Sequence, residues 1–300
     1  MITALDHQMR NQPQRRIPKP HWLKKRLPAG PEFEKVRVLI NQDRLHTVCQ
    51  EAKCPNIWEC FSKHTATFLI LGNRCTRNCR FCAVTHGPLE PPDPQEPARV
   101  AGAAQALGLQ YVVVTSVTRD DLPDGGADFF ARTIGEVRKR MPNTKVEVLI
   151  PDFQGNTEAL TTVLEARPDV LNHNLETVPR LYPTVRPNAV YKRSLALLKS
   201  VHTFGAAIPT KSGLMLGLGE TSDEIHQTLC DLVEAGCRIL TLGQYLQPSR
   251  RHLPVARYLP PEEFKNWRKT AYKIGFSEVA SSPFVRSSYQ AHELFQAATS

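Results

Sequence analysis

Thr67-Phe68-Leu69-Ile70-Leu71-Gly72 is an apolar run, and two residues beyond it comes Cys75-Thr76-Arg77-Asn78-Cys79-Arg80-Phe81-Cys82. The first stretch reads as a buried β-strand. The second reads as a loop at its carboxyl end, where parallel α/β folds gather their reactive groups. The loop packs three thiols into eight residues at a C-x3-C-x2-C spacing. Three thiolates can hold three irons of a cubane iron–sulfur cluster and leave the fourth open, and zinc is the competing soft-metal reading. A closed zinc site would need a fourth ligand, and after Cys82 only His86 stands at ligand spacing. Packed core thiols are the plainer alternative, but buried cysteines seldom cluster on a loop.

Outward from this loop the chain alternates strand and helix. Strand-like runs cover 67–71, 111–115, 146–150, 169–172, 210–216 and 238–242, and helix-like runs cover 97–107, 127–140, 157–166, 190–203, 222–235 and 261–272. Pro97 is expected at N1, Asn156 and Ser222 as N-caps, and Gly108 and Gly236 as helix stops. Six β–α units in a row predict an α/β fold, a partial TIM-type (β/α)6 barrel with N-terminal and C-terminal extensions. The expected division is 1–66 (basic arm and second thiol cluster), 67–275 (barrel) and 276–300 (extension). The first strand–helix connection, 72–96, is far longer than usual, which marks a functional loop.

Before the barrel stands a second triplet, Cys49, Cys54 and Cys60, at C-x4-C-x5-C. A zinc knuckle completed by His46 or His64 is one reading; a cluster short of one protein ligand is the other. Six of the eight cysteines fall in these two triplets, which is a metal-like arrangement rather than a disulfide framework. With no secretory signal, a reducing cytoplasmic location is expected. No apolar stretch reaches the ~18 residues of a membrane span. The net charge is +9, and the first thirty residues carry Arg10, Arg15, Arg16, Lys19, Lys24, Lys25 and Arg26 against Asp6 alone. Such an arm could bind nucleic acid, target an organelle, dock an acidic protein or simply lie solvated on the body. Five prolines (Pro13, Pro18, Pro20, Pro28 and Pro31) argue against an amphipathic transit helix.

The Cys75–Cys82 spacing, with Phe81 before the last thiol, resembles the radical S-adenosylmethionine (SAM) superfamily. The two triplets in this order resemble the lipoyl synthase family within it. So do residues 115–127 (Thr115 to Ala127), Asn172-His173-Asn174-Leu175-Glu176-Thr177-Val178, residues 210–221, residues 242–249 and Arg286-Ser287-Ser288-Tyr289. The likeness runs from about Pro18 to Ala291 and leaves the first dozen residues unmatched. It implies two [4Fe–4S] clusters and SAM as cofactors. Cys75, Cys79 and Cys82 would hold the radical-generating cluster, and Cys49, Cys54, Cys60 and Ser288 an auxiliary cluster that donates sulfur. The serine ligand is implied by the resemblance alone; on its own, Ser288 reads as a hydroxyl capping the terminal helix.

The implied reaction places two sulfur atoms on carbons six and eight of an octanoyl-lysine chain. Those carbons have no acidic proton, so acid–base and nucleophilic chemistry cannot reach them, whereas a 5′-deoxyadenosyl radical can. SAM contacts follow only from position at strand ends: Thr115, Ser116, Asn174, Glu176 and the Ser212/Gly213 pair, with Phe81 beside the cluster. Gly125-Gly126 is either a close backbone approach to a ligand or a plain helix start. His173 and His252 read as structural, and Cys230 and Cys237 as buried hydrophobes. Expected partners are octanoylated lipoyl carrier domains (glycine cleavage H protein and 2-oxoacid dehydrogenase E2), a ferredoxin- or flavodoxin-like reductant and an iron–sulfur carrier for cluster repair. The basic arm, through Lys24, Lys25 and Arg26, would dock the acidic carrier, and no nucleic acid or membrane is expected. The rival readings are a radical SAM enzyme that thiolates tRNA and a non-enzymatic electron carrier or zinc scaffold.

Overall fold

A computed structural model describes residues 17–24, 31–62, 66–204 and 208–299. Arg10, Arg15, Arg16, Lys25, Arg26 and His64 lie outside the described residues. One eight-stranded sheet organises the chain: β1 (His46–Thr47), β2 (Thr67–Ile70), β3 (Tyr111–Ser116), β4 (Lys145–Leu149), β5 (Val170–Asn172), β6 (Thr210–Leu216), β7 (Ile239–Gln244) and β8 (Glu278–Ser281). Strand order is sequence order. Only β1 runs antiparallel, against β2, and β2 to β8 are parallel. Among the described residues the curled sheet is open: β8 pairs only with β7. The parallel series has seven strands rather than six, because the apolar run 276–280 that pattern reading set apart supplies β8.

The helices are α1 (Pro31–Gln42), α2 (Val48–Glu51), α3 (Ile57–Ser62), α4 (Glu96–Ala106), α5 (Ala127–Arg140), α6 (Thr157–Glu165), α7 (Tyr182–Val185), α8 (Tyr191–Thr203), α9 (Ser222–Glu234), α10 (Pro261–Ile274) and α11 (Ala291–Thr299). Asn156 caps α6 as expected, its side chain accepting from Glu158 and Ala159 N–H. Two of the expected helix-start assignments move by one residue. Thr221, not Ser222, caps α9, because Thr221 and Glu224 complete a reciprocal capping box. Pro97 follows Glu96, the first residue of α4. Among the described residues no helix is long and apolar enough to cross a membrane.

β2 and β7 are buried along their whole length, and β3 and β6 almost so, as parallel strands covered on both faces must be. Alternation sends Phe68, Ile70, Val112, Val114, Val146 and Val148 into the main apolar core. The intervening residues face the barrel interior. Near the amino end of the barrel that interior is polar. Lys211 Nζ sits 2.9 Å from Glu147 Oε1, and both side chains are 1% exposed. Tyr111 Oη and Asn172 Nδ2 donate to the same carboxylate at 2.7 and 3.1 Å. Helix α11 lies over this end. Ala291 and Phe295 pack on Tyr111 and Val113, and the His292 ring stacks on Tyr111 at 5.4 Å.

Removing one member of a buried ion pair strands the other. Lys211→Met should therefore cost roughly 3 kcal/mol in anaerobic urea unfolding, and the Glu147→Leu/Lys211→Met double variant should recover most of it.

Candidate active site

The thiol loop has little regular structure of its own and takes its shape from its neighbours. Cys75 N–H donates to Thr85 O at 3.0 Å, and Thr76 N–H to Thr118 O at 3.0 Å. Arg80 N–H reaches Val185 O at the end of α7, and Leu253 N–H reaches Arg80 O. His252 Nε2 stands 2.9 Å from Cys82 O and its Nδ1 2.8 Å from Ser249 Oγ. His252 is thus a satisfied histidine, as expected, but it also ties down the loop. Glu96, at the start of α4, accepts from Leu71 N–H at 2.7 Å and fixes the turn leaving β2.

At the centre lies Arg77, which is 4% exposed. Its guanidinium donates to both Asp120 oxygens at 2.7 and 2.9 Å and to Asp152 Oδ1 at 2.5 Å. Those carboxylates come from the connections after β3 and after β4, so one side chain joins three loops. Arg77 N–H also points at Cys75 Sγ, 3.4 Å away.

Cys75, Cys79 and Cys82 line a cavity of about 490 Å³. Cys49, Cys54, Cys60 and Ser288 line the same cavity, so both triplets and the serine face one space. Cys49 follows Thr47, the N-cap of α2, while Cys60 lies on α3. Ser288 Oγ accepts from Thr67 Oγ1 at 2.8 Å. The segment carrying it is pinned further by Asn56 Nδ2 on Phe284 O at 2.7 Å and by Tyr289 Oη on Glu59 Oε1 at 2.9 Å.

Burial pushes the Cys82 thiol up to about 12 and also raises Cys79, where the Arg186 guanidinium works in the opposite direction. Cys49 is raised by burial and then by the neighbouring Cys54 and Cys60. Metal binding at such thiols must displace protons, which a soft metal–thiolate bond can drive. The donor set fits iron–sulfur chemistry: soft sulfur, a low-dielectric wall and an N–H aimed at sulfur. Among the described residues no three His, Cys, Asp or Glu groups gather around a point for a single ion. His46 is engaged with Glu51 at 3.0 Å rather than with the cysteines.

Of the other expected residues, Phe81, Thr115, Ser116, Asn174 and Glu176 all line the cavity. Ser212 does not. It is fully buried, its Oγ accepts from Leu175 N–H, and Gly213 is the wall residue instead. A one-residue shift along a strand reverses the face, which accounts for the correction. An added Cβ at Gly213 would sit 2.5 Å from Thr241 Oγ1 and 2.9 Å from Asn174 Oδ1, so only glycine leaves that wall clear. Gly126 starts α5 at φ +91° against the Leu71 side chain, away from the cavity, which makes the plain helix start the right reading. His173 is buried and satisfied by Ile150 O and Ser194 Oγ. Cys237 is fully buried, but Cys230 is only half-buried and lies 3.7 Å from His226 Nδ1, so it is not a core hydrophobe.

Two cavity arginines escaped pattern reading. Arg186 is buried, donates to Asn174 O and Leu175 O at 2.9 and 3.0 Å, and stands beside Cys79. Arg286 faces Cys54 and Glu176. Glu176, at φ +67°, accepts from Asn174 Nδ2 at 2.9 Å, and its pKa is raised by burial against the pull of both guanidinia. The same Asn174 Nδ2 reaches Ser287 Oγ at 2.6 Å. Among the described residues Asn174 Oδ1 and Ser116 Oγ are buried without a partner in this wall, where the amino and hydroxyl groups of a nucleoside-bearing cofactor could satisfy them.

Residues 69–232, more than half of the chain, match the Radical SAM superfamily, and residues 2–54 match the N-terminal domain of lipoyl synthase of that family. A lipoyl synthase of Desulfotalea psychrophila is 57% identical over 98% of both chains. The chain belongs to the lipoyl synthase family. The likeness includes the arm, since the match begins at residue 2 rather than near Pro18. A second family member, from Caldanaerobacter subterraneus, is 56% identical over 92% of this chain and 96% of its own. Family membership implies SAM and a [4Fe–4S] cluster. The fold is shared more widely. Streptococcus suis SuiB bound to S-adenosylmethionine superposes with a TM-score of 0.56 at 12% identity, over 75% of this chain and 54% of that one. Methylornithine synthase (PylB) superposes at 0.52 and 12%, over 85% and 82%.

The Arg77 contact holds the Asp152 carboxyl at about 2, below its ordinary value, despite burial. A depressed carboxyl stabilises the fold above its unfolded pKa, and that contribution disappears as pH falls through the folded value. In urea unfolding of metal-free protein, the advantage of wild type over Asp152→Asn should be roughly 2–3 kcal/mol above about pH 4 and shrink steadily toward pH 2.

Proposed function

We propose that the chain is a lipoyl synthase, inserting sulfur at carbons six and eight of an octanoyl chain carried on a protein lysine. The observation that best supports this is the meeting of two cysteine triplets from separate segments, with Ser288, around one 490 Å³ cavity. Cys75, Cys79 and Cys82 hold the radical-generating cluster, and Cys49, Cys54, Cys60 and Ser288 hold a second one. In this division, the barrel that starts at β2 builds the radical machinery, and residues 49–60 and 284–289 jointly enclose the sulfur donor. When bound, the first cluster and SAM supply a radical able to take hydrogen from an unactivated carbon, and the second supplies sulfur.

The protein's own part is binding, orientation and exclusion of water. Arg77 fixes the thiol loop in one conformation. Arg186 offers a cation beside Cys79, suited to a carboxylate, and Glu176 and Asn174 offer acceptors for amino and hydroxyl groups. Thr115, Ser116 and Phe81 complete the SAM side of the wall. The remaining wall is mostly apolar, with Val48, Leu69 and Met215 suited to an alkyl chain. Exposed Lys19 and Lys53 border the cavity and fit an acidic octanoylated carrier domain; a small reductant protein and an iron–sulfur carrier complete the partners. None of the eight cysteines is in a disulfide, in keeping with a reducing cytoplasm. The identity to lipoyl synthases favours this reading over a tRNA-modifying enzyme or an electron carrier.

Reconstituted anaerobically, the chain should hold about eight irons and, with SAM, a reductant and an octanoyl-lysyl peptide, give a product heavier by two sulfur atoms. Cys49→Ala should lower iron to about four while SAM cleavage persists without sulfur insertion. An unmodified peptide from the fully loaded protein would reject the proposal. Ser288→Cys replaces a hard ligand by a soft one, and sulfur insertion should slow at least tenfold if ready release of that ligand matters.

A further inference from the structure

Ser288 does not reach the cavity unaided. Its Oγ accepts a 2.8 Å hydrogen bond from Thr67 Oγ1, across 221 residues of sequence. Thr67 is 6% exposed and lines the cavity as the first residue of β2. The N-terminal part of the ligand set lines the same cavity. β1 runs antiparallel to β2 with Thr47 opposite Phe68, and this register brings Cys49 beside the start of β2. Thr67 thus stands between the two segments: its hydroxyl donates to a candidate ligand from the C-terminal segment, and its strand pairs with the one that leads into Cys49. Strand geometry alone does not require a hydroxyl here, since valine suits a buried strand at least as well.

We propose that Thr67 is a positioning residue for the auxiliary centre, its hydroxyl fixing the oxygen of Ser288. The proposal rests on the reading that Cys49 and Ser288 are ligands. A hydroxyl donor satisfies one acceptor site of the serine oxygen and leaves another directed at the metal. It also stabilises negative charge on that oxygen, as a charge-assisted hydrogen bond does. Without it, the serine could rotate and bind more loosely.

The test uses the full-length chain with Cys75, Cys79 and Cys82 changed to Ala, so that only the auxiliary centre takes up iron, and measures iron lost to a chelator under anaerobic conditions. Thr67→Val should lose iron roughly fivefold faster, the worth of one hydrogen bond, while Thr67→Ser should match the parent. Ser288→Ala should be at least as fast as Thr67→Val, and the double variant no faster than Ser288→Ala, because both changes remove the same contact. A parental rate for Thr67→Val beside fast loss in Ser288→Ala would overturn the role of Thr67 and leave the ligand reading intact. Additive rates in the double variant, or Thr67→Ser as fast as Thr67→Val, would overturn it equally. A parental rate for Ser288→Ala, or no iron in the parent, would overturn the ligand reading and this inference with it.

Discussion

A positive charge removed from water holds the reactive loop. Arg77 stands inside the C-x3-C-x2-C triplet, and its only way to remain ionised while buried is to find carboxylates. Asp120 and Asp152 meet it from two later strand–helix connections. Losing both contacts would leave the guanidinium uncompensated in low dielectric, which costs several kcal/mol. Alternative loop conformations are therefore expensive, and three thiols that lack a helix or strand of their own stay directed at one cavity. The barrel comes first in this logic, because the loop cannot take its shape until β3 and β4 have brought their carboxylates into place.

Electrostatics carries through to the cavity wall. Arg186 and Arg286 bring two more cations to a space lined by six thiols and Glu176. Thiolate-held centres concentrate negative charge, and guanidinia placed beside them offset part of it without filling the coordination positions. Asn174 stands between the two halves: its amide joins Glu176 on one side to Ser287 on the other. The two halves of the cavity thus share hydrogen bonds as well as volume.

Local chemistry made most of this legible in the sequence. Strand periodicity and helix caps found six of the seven parallel strands, and cysteine spacing marked both triplets. What escaped has physical reasons. β8 is four residues long and is followed by no further helix–strand repeat, so it read as a tail. Ser212 and Gly213 are neighbours on β6, and only the register of the strand shows that the glycine, not the hydroxyl, faces inward. Thr221 and Ser222 are adjacent hydroxyl residues, and only the Glu224 contact decides which one caps. Arg77 and Thr67 act through partners dozens or hundreds of residues away, and no local pattern encodes such pairings. Arg286 and Ser288 stood in a quoted motif, but the spacing of that motif says nothing about a site formed with residues 49–60.

The Thr67–Ser288 contact also bears on how the molecule comes into being. Ser288 follows the last strand of the sheet, so a ribosome must have released almost every element before the two sides of the auxiliary site can meet. The Cys75 loop needs partners only as far along as residue 253, and the Cys49–Cys60 segment waits longest. Contacts of such high sequence separation form late and slowly. A chain emerging from the ribosome therefore exposes three reactive thiols near its front for most of its synthesis. Their protection until the end arrives is a matter of timing in the cell as much as of architecture.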